Sequence, residues 1–257
     1  MPVTLSIITV SYSAARTIEE TFQSVACQTY PHVEYIVVDG ASSDGTVDII
    51  RRYEAAIGQW VSEPDKGLYD AMNKGLAMAT GDYVGFLNAD DFLARPDALE
   101  LIAGALETSG ADATHGDCVI VDPEDTEKVL RYYPSRGFKP HHMRFGNMPP
   151  HASIFVRRDL LLAEKGFNTD FRIAADFDLL TRLFVKRCIS YVHVPHVLTH
   201  NRSGGVSTQG LRSTMRINAE ICRSLRANGI ASNQLLLWSR YFKKVWQLVR
   251  RPAQGAA

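Results

Sequence analysis

Gly81-Asp82-Tyr83-Val84-Gly85-Phe86-Leu87-Asn88-Ala89-Asp90-Asp91 decides how the chain is read. Tyr83 to Leu87 is a short apolar, aromatic run with the pattern of a buried strand. It stops at Asn88, and two adjacent carboxylates follow before Phe92-Leu93. Like charges a few ångströms apart resist joint ionisation, so paired carboxylates at a buried strand's end are costly. A bound divalent cation removes that cost, and hard oxygen ligands suit Mg2+ or Mn2+. The plainer reading is a turn, because Asn-Ala-Asp-Asp is equally good turn and helix-capping chemistry.

The segments upstream favour a site. Leu5-Ser6-Ile7-Ile8-Thr9-Val10 is apolar or β-branched at nearly every position, as in a strand covered on both faces. Ser11-Tyr12-Ser13 breaks it, and Ala15 to Gln28 reads as a helix with Ile18, Phe22 and Val25 at apolar positions. Val33 to Val38 is a second buried strand, ending at Asp39-Gly40. The polar loop after it leads to a helix over Val47–Tyr53, with Thr46 or Asp44 as the cap. Trp60-Val61-Ser62 is a third short strand, followed by Glu63-Pro64-Asp65-Lys66-Gly67 and a helix over Leu68–Ala79. Alternating strands and helices predict a doubly wound, mostly parallel α/β sheet, whose ligands sit beyond the carboxyl ends of the strands. Ser11, Asp39, Asp65 and the Asn88, Asp90, Asp91 group all fall on that rim. Turn chemistry alone does not account for four polar breaks on one rim.

Composition sets outer bounds. The 257 residues are 46% hydrophobic and 22% charged, with 28 basic and 28 acidic side chains. That balance gives no global bias towards nucleic acid. Four widely spaced cysteines share no Cys-x-x-Cys pattern, so neither a structural zinc site nor a disulfide framework is expected, and a reducing compartment is the default. No basic region precedes the first strand, and no apolar run approaches spanning length, so a cytoplasmic protein is expected. Neither Gly-x-Gly-x-x-Gly after the first strand nor Gly-x-x-x-x-Gly-Lys-Ser/Thr occurs, which argues against a dinucleotide fold and a P-loop.

Five pieces in order resemble the family-2 inverting glycosyltransferases of GT-A fold: Leu5–Tyr12, Ile36–Gly40 with Ser43–Thr46, Glu63–Gly67, Gly81–Asp91 and Ala175-Asp176-Phe177-Asp178-Leu179. They run over about the first 205 residues. The run Lys66-Gly67-Leu68-Tyr69-Asp70-Ala71-Met72-Asn73-Lys74-Gly75 is similar to a subgroup of bacterial exopolysaccharide and lipopolysaccharide assembly. The resemblance implies sugar transfer from a nucleotide-sugar to an acceptor hydroxyl, with Mn2+ or Mg2+ on the diphosphate. It implies that Thr9, Val10, Ser11 and Tyr12 border base and ribose, that Asp39 accepts a hydrogen bond from the base, and that Asp65 and Asn88 lie near the nucleotide. Asp91 takes direct metal contact, and Asp90 takes ribose or metal-bound water. Asp176 matches the general base. Ala175 departs from the family's Glu-Asp pair, which leaves Asp176 to act alone. On a helix, Asp176 and Asp178 point about 200° apart, so only one faces the site; the plainer role for Asp176 is a helix cap. The Gln-x-x-Arg-Trp motif of processive synthases is absent, which favours single additions.

The rest of the chain reads more loosely. Asp112 to Leu130 is a strand and hairpin turning at Asp122-Pro123-Glu124-Asp125, and Tyr132 to Pro150 is a long loop. His151 stands at a strand start, where it either faces the acceptor or is structural; His141, His142, His193 and His196 lack metal spacing. Ile189–Val194 is a strand, and His200 to Ser207 a polar loop resembling the family's Gly-Gly-x-Ser ending, in which Arg202 bears on the diphosphate and His200 is a candidate metal ligand. Residues 1–210 form the catalytic domain and 211–257 a helical extension. There Leu235, Trp238, Phe242, Val245 and Val249 recur at helical steps beside Arg240, Lys243, Lys244, Arg250 and Arg251. An apolar stripe with a basic face reads as an interfacial helix on anionic lipid, which places the enzyme at the inner membrane face near a lipid-linked or glycan acceptor; packing on the domain or an oligomer contact are the alternatives. Two other readings compete for the whole: a sugar-nucleotide pyrophosphorylase, which lacks its Gly-rich, Arg-containing first loop here, and a catalytically silent nucleotide-sugar binder or scaffold, which Ala175 favours.

Overall fold

β1 (Leu5–Ser11), β2 (Val33–Asp39), β3 (Gln59–Ser62) and β4 (Tyr83–Phe86) lie parallel in the order β3-β2-β1-β4. This is a computed structural model, and it describes residues 2–204 and 210–238. All seven residues of β1 are buried because each face meets its own core. Leu5 and Ile7 pack with Ile18 and Phe22 of α1 (Ile18–Ala26), Ile49 and Ile50 of α2 (Thr46–Arg52), and Leu99 and Ile102 of α4 (Ala98–Ser109). Ile8 and Val10 pack with Met72 and Leu76 of α3 (Leu68–Met78) on the other side. A Cβ on Gly75 would overlap the Ile8 side chain, so glycine there lets α3 settle close to the sheet.

The second half of the sheet is mixed. β8 (Phe155–Arg157) runs antiparallel to β4, and β6 (Ala113–Val121) antiparallel to β8. β9 (Tyr191–Arg202) is parallel to β6, and β5 (Asp91–Leu93) closes the far edge antiparallel to β9. β7 (Val129–Tyr133) forms the expected hairpin with β6. The short α5 (Arg158–Ala163) and α6 (Ala175–Leu180), the latter continued by a π-helical stretch Thr181–Lys186, lead to α7 (Gly210–Ala227).

Several boundaries differ from the expectation. Asp91 opens a strand instead of ending a turn, because β5 finds its partner more than a hundred residues away in β9. His151 lies in a 3-10 turn, His151–Ser153, ahead of β8. The stretch read as a long loop contains the end of β7 and a 3-10 turn, Pro140–Phe145. His200, Asn201 and Arg202 complete β9 and are not loop; residues 205–207 lie outside the described residues. The boundary at 210 separates no cores, since Ile221, Cys222 and Leu225 of α7 are buried in the same cluster as Phe177 and Leu180 of α6. Of the apolar stripe, Leu235 and Trp238 are described; Phe242, Val245, Val249 and the basic residues from Arg240 onward lie outside the described residues.

Candidate active site

The first polar cluster follows from strand register. Ser11 pairs with Asp39, and Asp39 with Ser62, so three parallel strands end on three polar residues side by side. Asp39 is fully buried. Its Oδ1 accepts hydrogen bonds from the hydroxyls of Ser11 (2.9 Å) and Ser42 (2.6 Å), and its Oδ2 from Ser62 Oγ (2.7 Å) and the Ser42 N–H (2.9 Å). Four bonds fill the acceptor sites of a carboxylate. The expected bond from a base N–H to Asp39 therefore requires a serine hydroxyl to turn away. Ser13 and Ala41, on the loops that flank this cluster, both hold left-handed φ (52° and 60°), strain of a kind that gathers at binding loops. Thr9 and Val10 turn their side chains into the interior, Thr9 accepting the Tyr35 hydroxyl at 3.0 Å, so neither side chain meets a ligand. Tyr12 does the opposite: its ring is 73% exposed beside Gly40. A Cβ on Gly40 would lie 2.5 Å from Asp65 Oδ2 and 3.2 Å from the Tyr12 ring, so Gly40 leaves a slot between the two.

The second cluster lies beyond β4. Asp91 is buried, and its Oδ2 accepts from Asn201 Nδ2 at 2.6 Å and Asn88 Nδ2 at 3.2 Å. Burial, and then the charge of Asp90, push the Asp91 pKa well above the usual carboxylate range; burial also raises that of Asp90. Asp90 is the more open of the two and accepts no side-chain hydrogen bond from another described residue. Asp91 is thus enclosed and supported by Asn201, and Asp90 is the more accessible carboxylate of the pair. Asn88 Oδ1 is buried without a hydrogen-bond partner. Two carboxylates resisting ionisation and an orphan amide oxygen are donors that a hard divalent cation satisfies. Among the described residues no three His, Cys, Asp or Glu side chains converge on one point, so the protein alone does not complete a coordination shell.

His200 and Arg202 are not part of this donor set. Phe92 pairs with His200 and Asp91 with Asn201, so strand alternation puts the His200 ring on the face opposite the Asp91 carboxylate, against Phe92 at 5.0 Å. Arg202, expected over a diphosphate, is instead ion-paired with Glu20, donates to the Asp90 carbonyl at 2.7 Å and stacks over Phe92. It braces the turn from beneath.

The third cluster surrounds Asp176. The cap of α6 is Ala174, so Asp176 is not a cap but sits within the first turn. As the helical spacing predicts, Asp178 faces elsewhere: it is buried and bonded to Arg182, Ser224 and Asn228. Asp176 Oδ1 accepts the N–H of Phe177 at 2.8 Å and the Tyr69 hydroxyl at 3.3 Å. Burial raises its pKa, with His151 opposing, while burial lowers that of His151. His151 stacks on Phe86 at 5.8 Å, Tyr69 stacks on Phe167 at 5.5 Å, and Phe86 meets Phe167 edge to face at 4.9 Å. His151 and Asp176 border a cavity of about 10 Å³, room for one water molecule. Phe86 is the last residue of β4, so this aromatic frame adjoins the Asn88–Asp91 turn.

The sequence pattern described as Glycosyl transferase family 2 matches residues 6–161. The chain belongs to that family. It is 31% identical over 208 residues to a PGL/p-HBAD biosynthesis glycosyltransferase of Mycobacterium bovis, covering 79% of this chain and 78% of the relative. Solved structures share the GT-A fold. The mannosyltransferase PcManGT of Pyrobaculum calidifontis, in complex with GDP-Man and Mn2+, superposes with a TM-score of 0.68 at 24% identity over 96% of this chain and 70% of its own. S. aureus TarS 1-349 in complex with UDP-GlcNAc gives 0.68 at 16% identity over 86% of this chain; the match spans 66% of the TarS chain. This glycosyltransferase acts in glycan biosynthesis, and the pyrophosphorylase reading falls away.

Three residues that support these clusters carry no expectation from the sequence. Tyr69 sat in plain view in the Lys66–Gly75 run, whose other members prove architectural: Asp70 accepts the Lys66 N–H, and Asn73 bonds both the N–H and the carbonyl of Phe167 at 2.8 Å. Asn201 carried no local signal, because its role depends on the β5–β9 pairing. Glu220, the last acid of the chain, accepts the N–H groups of Ile173 and Ala174 at 2.9 and 3.0 Å just ahead of Asp176.

Proposed function

We propose that this enzyme transfers a sugar from a UDP-sugar to an acceptor hydroxyl with inversion, using Asp176 as general base. The observation that carries the reading is the setting of Asp176: a carboxylate of raised pKa, framed by Tyr69, His151 and Phe167 next to the carboxylate turn. Asp176 takes the proton of the acceptor hydroxyl as its oxygen attacks the anomeric carbon and the bond to the diphosphate breaks. One base and direct displacement invert the centre, with no covalent intermediate. Asp90 and Asn88 Oδ1 would hold Mn2+ or Mg2+ beside the diphosphate, with Asp91 as support; the cation supplies charge to the leaving group. Tyr12 stacks on the base above Gly40, Asp65 and Ser11 flank the ribose, and Asp39 accepts the base N–H once the Ser42 hydroxyl rotates. The solved relatives' ligands, UDP-GlcNAc in one and GDP-Man with Mn2+ in another, support a nucleotide-sugar and a divalent cation.

The acceptor in this proposal is a glycan or lipid-linked hydroxyl at the inner membrane face. Among the described residues no helix is long and apolar enough to cross a membrane. The supporting observation is that Leu235 and Trp238 are 82% and 51% exposed where the basic stripe begins. Titration of UDP- and GDP-linked sugars, with Mn2+ and with EDTA, tests the donor site. Metal-dependent binding of a UDP-sugar with slow UDP release supports it, and no binding to any donor removes it.

A further inference from the structure

α6 begins without a side-chain cap of its own. Its cap residue is Ala174, and the N–H groups at a helix start need partners. The N–H of Phe177 is met by Asp176 itself, and a carboxylate from a distant element holds the cap residue and the two residues before it. The backbone N–H groups of Arg172, Ile173 and Ala174 donate to Glu220 on α7, at 3.2, 2.9 and 3.0 Å. Charge-assisted bonds are stronger than neutral ones, and negative charge at a helix start is favourable. The same face of α7 grips the segment on both sides of Asp176. Arg223 donates to the Asp170 carbonyl at 2.6 Å with its guanidinium 4.1 Å over the Phe171 ring, and Ser224 donates to Asp178 at 2.7 Å. Residues 220, 224 and 228 recur at four-residue steps, one stripe of a helix. Ile173 is pinned at both ends, since its carbonyl accepts the Tyr69 hydroxyl at 2.6 Å while its N–H is held by Glu220. Asp176 itself receives no hydrogen bond from α7 among those described. It is aimed through the backbone beside it.

We propose that Glu220 is a positioning residue for the reaction: from α7 it sets the direction of Asp176 through residues 172–174. This rests on the reading of Asp176 as base. It also makes the C-terminal helix part of the catalytic apparatus and not an appendage.

The test compares Glu220→Ala, Glu220→Gln, Glu220→Asp and Asp176→Asn in the full chain, using nucleotide release from the bound donor with water in the acceptor's place. Turnover is followed across pH, donor affinity by calorimetry and folding by thermal melting. Glu220→Ala is expected to lose roughly 10- to 100-fold in kcat, the scale on which a small misplacement of a reacting group acts, with donor Kd unchanged. Gln keeps an acceptor oxygen and should recover turnover to within a few-fold of wild type; Asp, one methylene shorter, should not. Equal loss of donor affinity and kcat, or Gln no better than Ala, would overturn the role. If Glu220→Ala does not fold, Glu220→Asp decides: wild-type turnover in that variant overturns the proposal, and a tenfold loss with intact donor binding supports it. Asp176→Asn keeps the two readings apart. Wild-type turnover in Asp176→Asn removes the base, whereas its loss beside an unaffected Glu220→Ala removes only the positioning role.

Discussion

Asp39 ends strand β2 and Asp176 lies in the first turn of α6, and the protein serves these two carboxylates in opposite ways. Asp39 is buried and accepts four hydrogen bonds, three from serine hydroxyls. Asp176 accepts one bond from its own helix and a long one from Tyr69, and its pKa is raised; Asp90 is likewise short of donors. A saturated carboxylate fixes its surroundings and gives a rigid recognition surface. An under-served one keeps its affinity for protons and cations, which suits the chemical end of the site. The difference separates residues that shape the donor pocket from those that act on the donor.

Removing the under-served carboxylate should cost the most. Asp176→Asn is expected to lower turnover by about 10²- to 10⁴-fold, the usual worth of general-base catalysis, with donor affinity retained in calorimetry. Asp90→Asn should act on binding: donor affinity in Mn2+ falls by about tenfold or more and approaches the value in EDTA, while Asp91→Asn, enclosed by Asn88 and Asn201, disturbs folding as well. Asp39→Ala should break the saturated pocket instead. It strands buried hydroxyls and is expected to lower stability by about 1–3 kcal/mol in denaturant unfolding, with turnover of bound donor little changed. Tyr69→Phe is the mildest. It removes a bond that favours the Asp176 carboxylate, so turnover should fall a few-fold and the acid limb should move to higher pH.

How much of this was legible in the sequence follows the sheet itself. β1, β2 and β4 announced themselves because strands buried on both faces need unbroken apolar runs, and their polar ends marked the rim. β5 is three residues long and opens on a buried aspartate, so nothing local distinguishes it from a turn; its identity comes from Asn201 and His200 across the pair. β9 carries histidines, a proline and an asparagine because its sides meet β6, β5 and the site and not one uniform core. The same dependence on distant partners hid the enclosure of Asp91 by Asn201 and the pairing of Arg202 with Glu20. α4 was readable, with Leu99, Ile102, Ala103 and Leu106 at helical spacing, yet no expectation covered it. Asp176 was found through the family motif, and its separation from Asp178 through helix geometry; its dependence on Glu220 needed the fold.

The most direct test of the account is the pH dependence of nucleotide release from the bound donor, measured for wild type beside Asp176→Asn. Because burial raises the Asp176 pKa, and the base must be ionised to act, the wild-type acid limb should lie above the ordinary aspartate value of about 4 and vanish in the variant together with most of the turnover. A variant that keeps both the rate and the limb would contradict the central claim that Asp176 is the base.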